Sequence, residues 1–160
     1  MPKVKEVGFR PVAIKSKDWV TIIVEKDGKF LREKQLRFGI MKESHEFPCG
    51  LVEDGELPKN AALRELREET GILISGDVEK VKYLGTFAAN PAFMTNHMHY
   101  FYVNLDDVEY DVVETEFDEH EKLETYWEDK KTTIEKTINN PNTSSLMAGC
   151  ICLMQKEGII

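Results

Sequence analysis

The segment from Gly50 to Ile72 constrains this chain more than any other. It reads Gly-Leu-Val-Glu-Asp-Gly-Glu over residues 50–56 and Arg-Glu-Leu-Arg-Glu-Glu-Thr-Gly-Ile over residues 64–72. Pro58 and Gly71 bracket a helix from Asn60 to Thr70, since proline fits a first helical turn and glycine a left-handed stop. At roughly 100° per residue, Glu65, Glu68 and Glu69 share an arc of about 100°. Ala62, Leu63, Leu66 and Thr70 occupy the neighbouring arc and supply the docking face. Arg64 and Arg67 lie on the flanks, where they can pair at the edges without filling the centre. Three carboxylates so placed repel one another unless a cation lies between them. Oxygen donors suit Mg²⁺, Mn²⁺ or Ca²⁺ rather than zinc. Several carboxylates imply more than one ion, and paired ions can clamp the attacking and leaving oxygens of a phosphoryl displacement. The alternative is an ordinary solvated acidic face.

The surrounding residues decide between the two. Gly50, Glu56, Arg64, Glu65, Leu66, Glu68, Glu69, Gly71 and Ile72 occupy every fixed position of the pattern Gly-x5-Glu-x7-Arg-Glu-U-x-Glu-Glu-x-Gly-U, with U apolar. The segment therefore resembles the Nudix box. That resemblance implies an α/β (α+β) fold, a Nudix-type α/β/α sandwich with a central mixed β-sheet. It implies hydrolysis of a nucleoside diphosphate derivative with Mg²⁺ or Mn²⁺, more than one ion per site. By the family pattern Glu65, Glu68 and Glu69 ligate metal, the Gly50 carbonyl completes that shell, and Arg64 and Glu56 brace the loop as an ion pair.

The likeness extends outward, most closely to the ADP-ribose and nucleotide-sugar pyrophosphatases. Asp18-Trp19-Val20, a Gln35-Leu36-Arg37 segment, Glu46-Phe47-Pro48 and Asn90-Pro91-Ala92-Phe93 resemble parts of that group. Asp118-Glu119-His120-Glu121 resembles its acidic loop, which implies Glu119 as an additional carboxylate able to take a proton from the attacking water. Two positions depart from the pattern: Cys49 stands where glycine usually precedes the box, and Pro91 comes later after Ile72 than in the best-known ADP-ribose hydrolases.

Other candidates carry two readings each. Arg37 suits a substrate phosphate, or a surface ion pair. Glu46 can accept from a base or sugar, or be an edge-strand charge. Glu119 and Glu121 lie in a run that is otherwise a solvated acidic loop. Asn90 and Phe93 are substrate-binding candidates by the resemblance; Phe93 and Tyr100 can stack on a base, or belong to the core. His97 and His99 alternate on one strand face and read as structural or substrate-lining rather than as zinc ligands. Cys49 has no base partner, which argues against a thiol nucleophile.

The expected activity is cleavage of ADP-ribose or a nucleotide sugar to a nucleoside monophosphate and a sugar phosphate. Competing readings are a house-cleaning nucleoside triphosphate pyrophosphohydrolase and a non-catalytic module that binds a nucleotide metabolite. The net charge of −8 argues against nonspecific nucleic-acid binding. No apolar run approaches the roughly 20 residues of a bilayer span. Cys49, Cys150 and Cys152 form no zinc or disulfide pattern, and the start shows no secretory signal, so the expected compartment is the cytoplasm. At 160 residues the expectation is one domain over 1–160, with a homodimer by analogy with relatives.

Along the chain, residues 4–14 suggest an early strand. Residues 19–24 and 29–34 suggest strands around an Asp27-Gly28 hairpin. Residues 38–45 read as a loop, 46–48 as a short strand, and 78–88, 99–104 and 123–127 as strands. Residues 133–139 and 145–155 read as helices separated by Asn140-Pro141-Asn142.

Overall fold

The computed structural model describes residues 13–116 and 123–160. The expected early strand lies almost wholly outside these residues, as do Glu119 and Glu121. The β-branched run after Trp19 forms β1 (Trp19–Lys26), which turns into β2 (Lys29–Arg37). Asp27 and Gly28 take φ of 49° and 71°, as a tight hairpin with two left-handed residues needs. The chain turns again into β3 (Lys42–Glu46), and β4 (Cys49–Leu51) leads into the box helix α1 (Pro58–Thr70).

After α1 come β5 (Ile72–Ile74), β6 (Lys82–Ala88), β7 (His97–Asn104), β8 (Tyr110–Val112) and β9 (Leu123–Asp129), then α2 (Lys130–Asn139) and α3 (Ser145–Lys156). The described sheet has seven strands in the order β3-β2-β1-β7-β6, with β4 also on β1 and β9 also on β2. It is mixed: β1 and β7 run parallel, from Trp19 opposite Met98 to Glu25 opposite Asn104, and the other pairs are antiparallel. β5 and β8 make a separate two-stranded ribbon.

Three expectations are corrected. Residues 38–45 are not a loop throughout; only 38–41 turn, and β3 begins at Lys42. Residues 46–48 are not a separate strand, since Glu46 ends β3 and pairing resumes at Cys49. Val78–Lys80 is a 3-10 turn, so β6 begins only at Lys82.

The period-2 alternation of β1 divides the core between two faces. Val20, Ile22 and Val24, with Phe101 and Val103 of β7, meet Ala61, Ala62 and Leu66 of α1. On the opposite face Ile23, Phe30 and Tyr100 meet Met147, Cys150 and Met154 of α3. The result is the expected α/β/α sandwich about a mixed sheet. Burying each large apolar side chain contributes about 1.5–3 kcal/mol, which anchors α1 on the sheet through fully buried Leu66. Asp129 caps α2 by accepting from the Thr132 N–H at 2.9 Å, and Ser144 caps α3 by accepting from the Leu146 N–H at 3.2 Å.

Candidate active site

Gly71 ends α1 with φ of 73°, and its N–H donates to the Arg67 carbonyl at 2.9 Å. That stop fixes the last turn, where Glu68 and Glu69 lie. Arg64 fixes the loop ahead of the helix. Its Nε and Nη2 grip the two Glu56 oxygens, each at 3.0 Å, and Nη2 also donates to the Leu51 carbonyl at 2.9 Å. This hydrogen-bonded pairing holds the Glu56 carboxyl below its ordinary value. On β4 a Cβ at Gly50 would stand 2.1 Å from Glu65 Cδ, so only glycine lets the strand pass so near that carboxylate.

Arg64 does more than brace the loop. Its Nη1 donates to Glu65 Oε1 at 2.8 Å and to Glu68 Oε2 at 3.0 Å. The helical wheel places this side chain at the edge of the acidic arc; in the structure its guanidinium sits between two of the carboxylates. A guanidinium has five N–H donors, enough to serve the loop and both glutamates. Arg67 turns outward to Glu116, at 3.0 Å.

Glu69 has a different environment. It is 8% exposed and accepts from the Cys49 N–H at 3.2 Å. It also lies within hydrogen-bonding reach of Glu33 on β2, which is fully buried. Among the described residues neither Glu33 oxygen meets an N–H or O–H donor. Two carboxylates pair only when one holds a proton, and burial, then mutual repulsion, pushes Glu69 well above its ordinary value. Burial likewise pushes Glu33 up.

Glu65, Glu68 and Glu69, with Gly50, Arg64 and Glu116, line a cleft of about 550 Å³. A second cavity of about 490 Å³ adjoins it, sharing Trp19 and Arg37 as a common wall. Its far side is largely apolar, with Ile40, Met94, Met98 and Leu146. Asn96 also lines it, 2% exposed, with neither its amide oxygen nor its amide nitrogen hydrogen-bonded.

Arg37 and Glu46 face each other in this wall as a fork, Nε to Oε1 at 2.9 Å and Nη2 to Oε2 at 2.7 Å. Burial raises the Glu46 carboxyl, and the Arg37 fork outweighs it, so the group sits below its ordinary value. The Cys49 thiol donates to Glu46 at 3.4 Å, and burial pushes it well above its ordinary value. A neutral thiol so held is no nucleophile. His99 bridges Asp18, at 3.0 Å, and Thr86, at 2.8 Å, a positioning arrangement on β7.

Glu65, Glu68, Glu69, Gly50, Arg64 and Arg37 thus share one cleft, with Glu46 in the adjoining cavity. Asn90 and Phe93 are not brought into either lining: the Asn90 side chain accepts from the Ala92 N–H at 3.2 Å within its own turn, and Phe93 is 46% exposed. Their loop contributes Ala89, Met94 and Asn96 instead. Sequence reasoning missed Glu33, Trp19 and Asn96 as site residues. Strand alternation offered a signal for the first, because Glu33, Gln35 and Arg37 share one face of β2.

The donors fit a hard divalent ion in kind. Two carboxylates already meet at one cationic nitrogen, a third lies behind them, and all offer oxygen. Among the described residues no three acidic, histidine or cysteine side chains form a ready metal cage. Loading therefore asks Arg64 to yield Nη1 and the Glu33–Glu69 pair to release its proton.

A NUDIX domain model matches residues 17–146. A methanol dehydrogenase activator of Bacillus methanolicus is 35% identical over 80 residues, covering 50% of this chain and 41% of that protein. An ADP-ribose pyrophosphatase of Bacillus subtilis is likewise 35% identical over 80 residues, again 50% of this chain and 41% of that protein. The matched segment thus spans less than half the length of these curated relatives. A crystal structure of an ADP compounds hydrolase superposes with a TM-score of 0.71 at 19% identity, covering 94% of this chain and 78% of that one, a likeness of fold.

Proposed function

The chain belongs to the Nudix family, and on that premise we propose that it is a pyrophosphohydrolase dependent on Mg²⁺ or Mn²⁺ that cleaves ADP-ribose or a nucleotide sugar to a nucleoside monophosphate and a sugar phosphate. The observation that carries this reading is that the two cavities adjoin across Trp19 and Arg37, which line both. An acidic cleft suited to metal and diphosphate opens beside an apolar chamber suited to a nucleoside. The relatives named for ADP-ribose point the same way.

In this reading Glu65, Glu68, Glu69 and the Gly50 carbonyl hold the ions. A bound divalent ion supplies charge neutralisation for the diphosphate and acidifies a water. Arg64 keeps the loop and helix in register, so the carboxylates converge without further folding. Arg37 offers its planar fork to a phosphate at the cavity boundary, with Glu46 orienting it from behind. Asn96 presents an acceptor oxygen and a donor NH₂ group in its amide, matched to the edge of a base. Glu119, outside the described residues, is the proposed proton acceptor, and Glu116 upstream of it lines the cleft. Water adds to one phosphorus, the bridging oxygen departs with the other phosphate, and the proton passes to a carboxylate.

A panel of ADP-ribose, nucleotide sugars, dinucleoside polyphosphates and nucleoside triphosphates, run with Mg²⁺ and with Mn²⁺, tests this. AMP and ribose 5-phosphate from ADP-ribose are the expected products. Pyrophosphate released from triphosphates, with ADP-ribose left intact, would replace the substrate class. No cleavage with either ion would remove the enzymatic reading.

A further inference from the structure

On the sheet face opposite the acidic cleft, the end of α2 and strand β2 enclose a separate cavity of about 320 Å³. We propose that this cavity is a second binding site, one that takes a phosphate group, free or on a small monoester, through Arg32 and Thr137. The inference does not depend on the chemistry of the acidic cleft.

Arg32 lies at the base, fully buried. Strand alternation explains its direction: Glu33 lies on the α1 side of the sheet, beside Glu69, so its neighbour Arg32 points the other way. The guanidinium packs 4.3 Å from the Phe47 ring centroid, and Nη2 donates to the His45 carbonyl at 2.8 Å. Nε has only a long ion pair with Glu128, and among the described residues neither Nε nor Nη1 meets a hydrogen-bond partner, although the cation is buried. The Thr137 hydroxyl, in the same lining and 4% exposed as a residue, also has none. Buried donors left unpaired are costly, the more so when charged, so an acceptor-rich guest is favoured.

The rest of the lining has the same character. His45, Lys136, Asn139, Asn140 and Thr143 complete it with polar or basic side chains, and among the described residues no acidic one lines the cavity. That is unusual in a chain with 29 acidic residues against 21 basic ones. Glu128 stands behind the cations: it pairs with Lys136, accepts from the Thr133 hydroxyl at 3.0 Å, and lies 3.8 Å from Arg32 Nε. Two cations against one carboxylate leave an excess of one positive charge, which a monoanion balances. A guanidinium combined with hydroxyl, amide and ammonium donors suits the tetrahedral oxygens of phosphate, which accept from several directions. Thr143 also lines the apolar chamber, so the two sites share a wall.

The test is a titration of the metal-free protein with inorganic phosphate, followed by backbone amide shifts and by Tm. Removing divalent ions leaves the acidic cleft repellent to phosphate, which separates the two sites. Saturable shifts at residues 137, 139 and 143, with a raised Tm, are expected. Thr137→Val should weaken phosphate binding about tenfold, the size of one charge-assisted hydrogen bond, while leaving Tm without phosphate unchanged or higher, because an unpaired hydroxyl is removed. Arg32→Met should abolish binding; if that variant fails to fold, Thr137→Val alone decides. Ribose 5-phosphate binding more tightly than inorganic phosphate would identify a monoester as guest, and equal binding would identify the free ion; both support the site. Shifts confined to the box residues, undiminished binding by Thr137→Val, or acetate binding as well as phosphate would overturn it.

Discussion

Two pairs of carboxylates, one within the box helix and one between it and β2, live in opposite electrostatic worlds. Glu65 and Glu68 have side chains 15% and 28% exposed and share a guanidinium nitrogen. Glu69 and Glu33 are buried against each other with no cation in hydrogen-bond contact and one proton to share. The first pair meets a cation in Arg64, and the second is kept partly neutral by burial. A divalent ion entering the cleft therefore meets two different obstacles: a guanidinium to displace and a proton to expel. The motif's third glutamate is not simply one more copy of the first two.

The largest effect that sharpens this contrast falls on the charged pair. Glu68→Gln should lower turnover roughly 10²–10⁴-fold, the usual span for a lost catalytic carboxylate, while circular dichroism and Tm stay near wild type. Near-normal turnover would remove Glu68 from the proposed mechanism.

A smaller effect belongs to the buried pair. Glu33 and Glu69 have folded-state values raised above the ordinary 4.5. Stability linked to their protonated form is complete below that value and is lost as pH rises through the raised folded values. The metal-free protein should thus lose Tm as pH rises above 4.5 through about 8 and about 10. Glu33→Gln, which keeps a neutral partner for Glu69 at every pH, should flatten that decline, and saturating Mg²⁺ should flatten it in the wild type. A Tm that rises across the same range would show that the pair is ionised in the folded protein.

The contrast also marks where sequence was informative. The left-handed stop at Gly71 was legible in the residues, and the pairing of Arg64 with Glu56 was implied by the resemblance of the box; both depend on local geometry within one helix and its loop. Glu33 depends on a contact between β2 and α1, and no helical or strand period links the two. β3 was read as loop for a related reason. Its sequence, Lys-Glu-Ser-His-Glu, has no apolar alternation, because its inward positions are Ser44 and Glu46 rather than aliphatic residues. Glu46 is tolerated there by the Arg37 fork, a partner on the neighbouring strand. β5 and β8 are each three residues long, too short to show a period. Asn96 was hidden for the simplest reason: a loop asparagine shows its lack of partners only once the walls around it are in place.

The most direct test is a Mn²⁺ titration followed by electron paramagnetic resonance, with released protons counted in weakly buffered solution. Wild-type protein should bind Mn²⁺ and release protons as it does so, and replacing Glu65, Glu68 and Glu69 together by glutamine should abolish both signals. Binding that survives the triple replacement, or no binding at saturating Mn²⁺ in the wild type, would contradict the assignment of these three side chains as the metal-gathering centre.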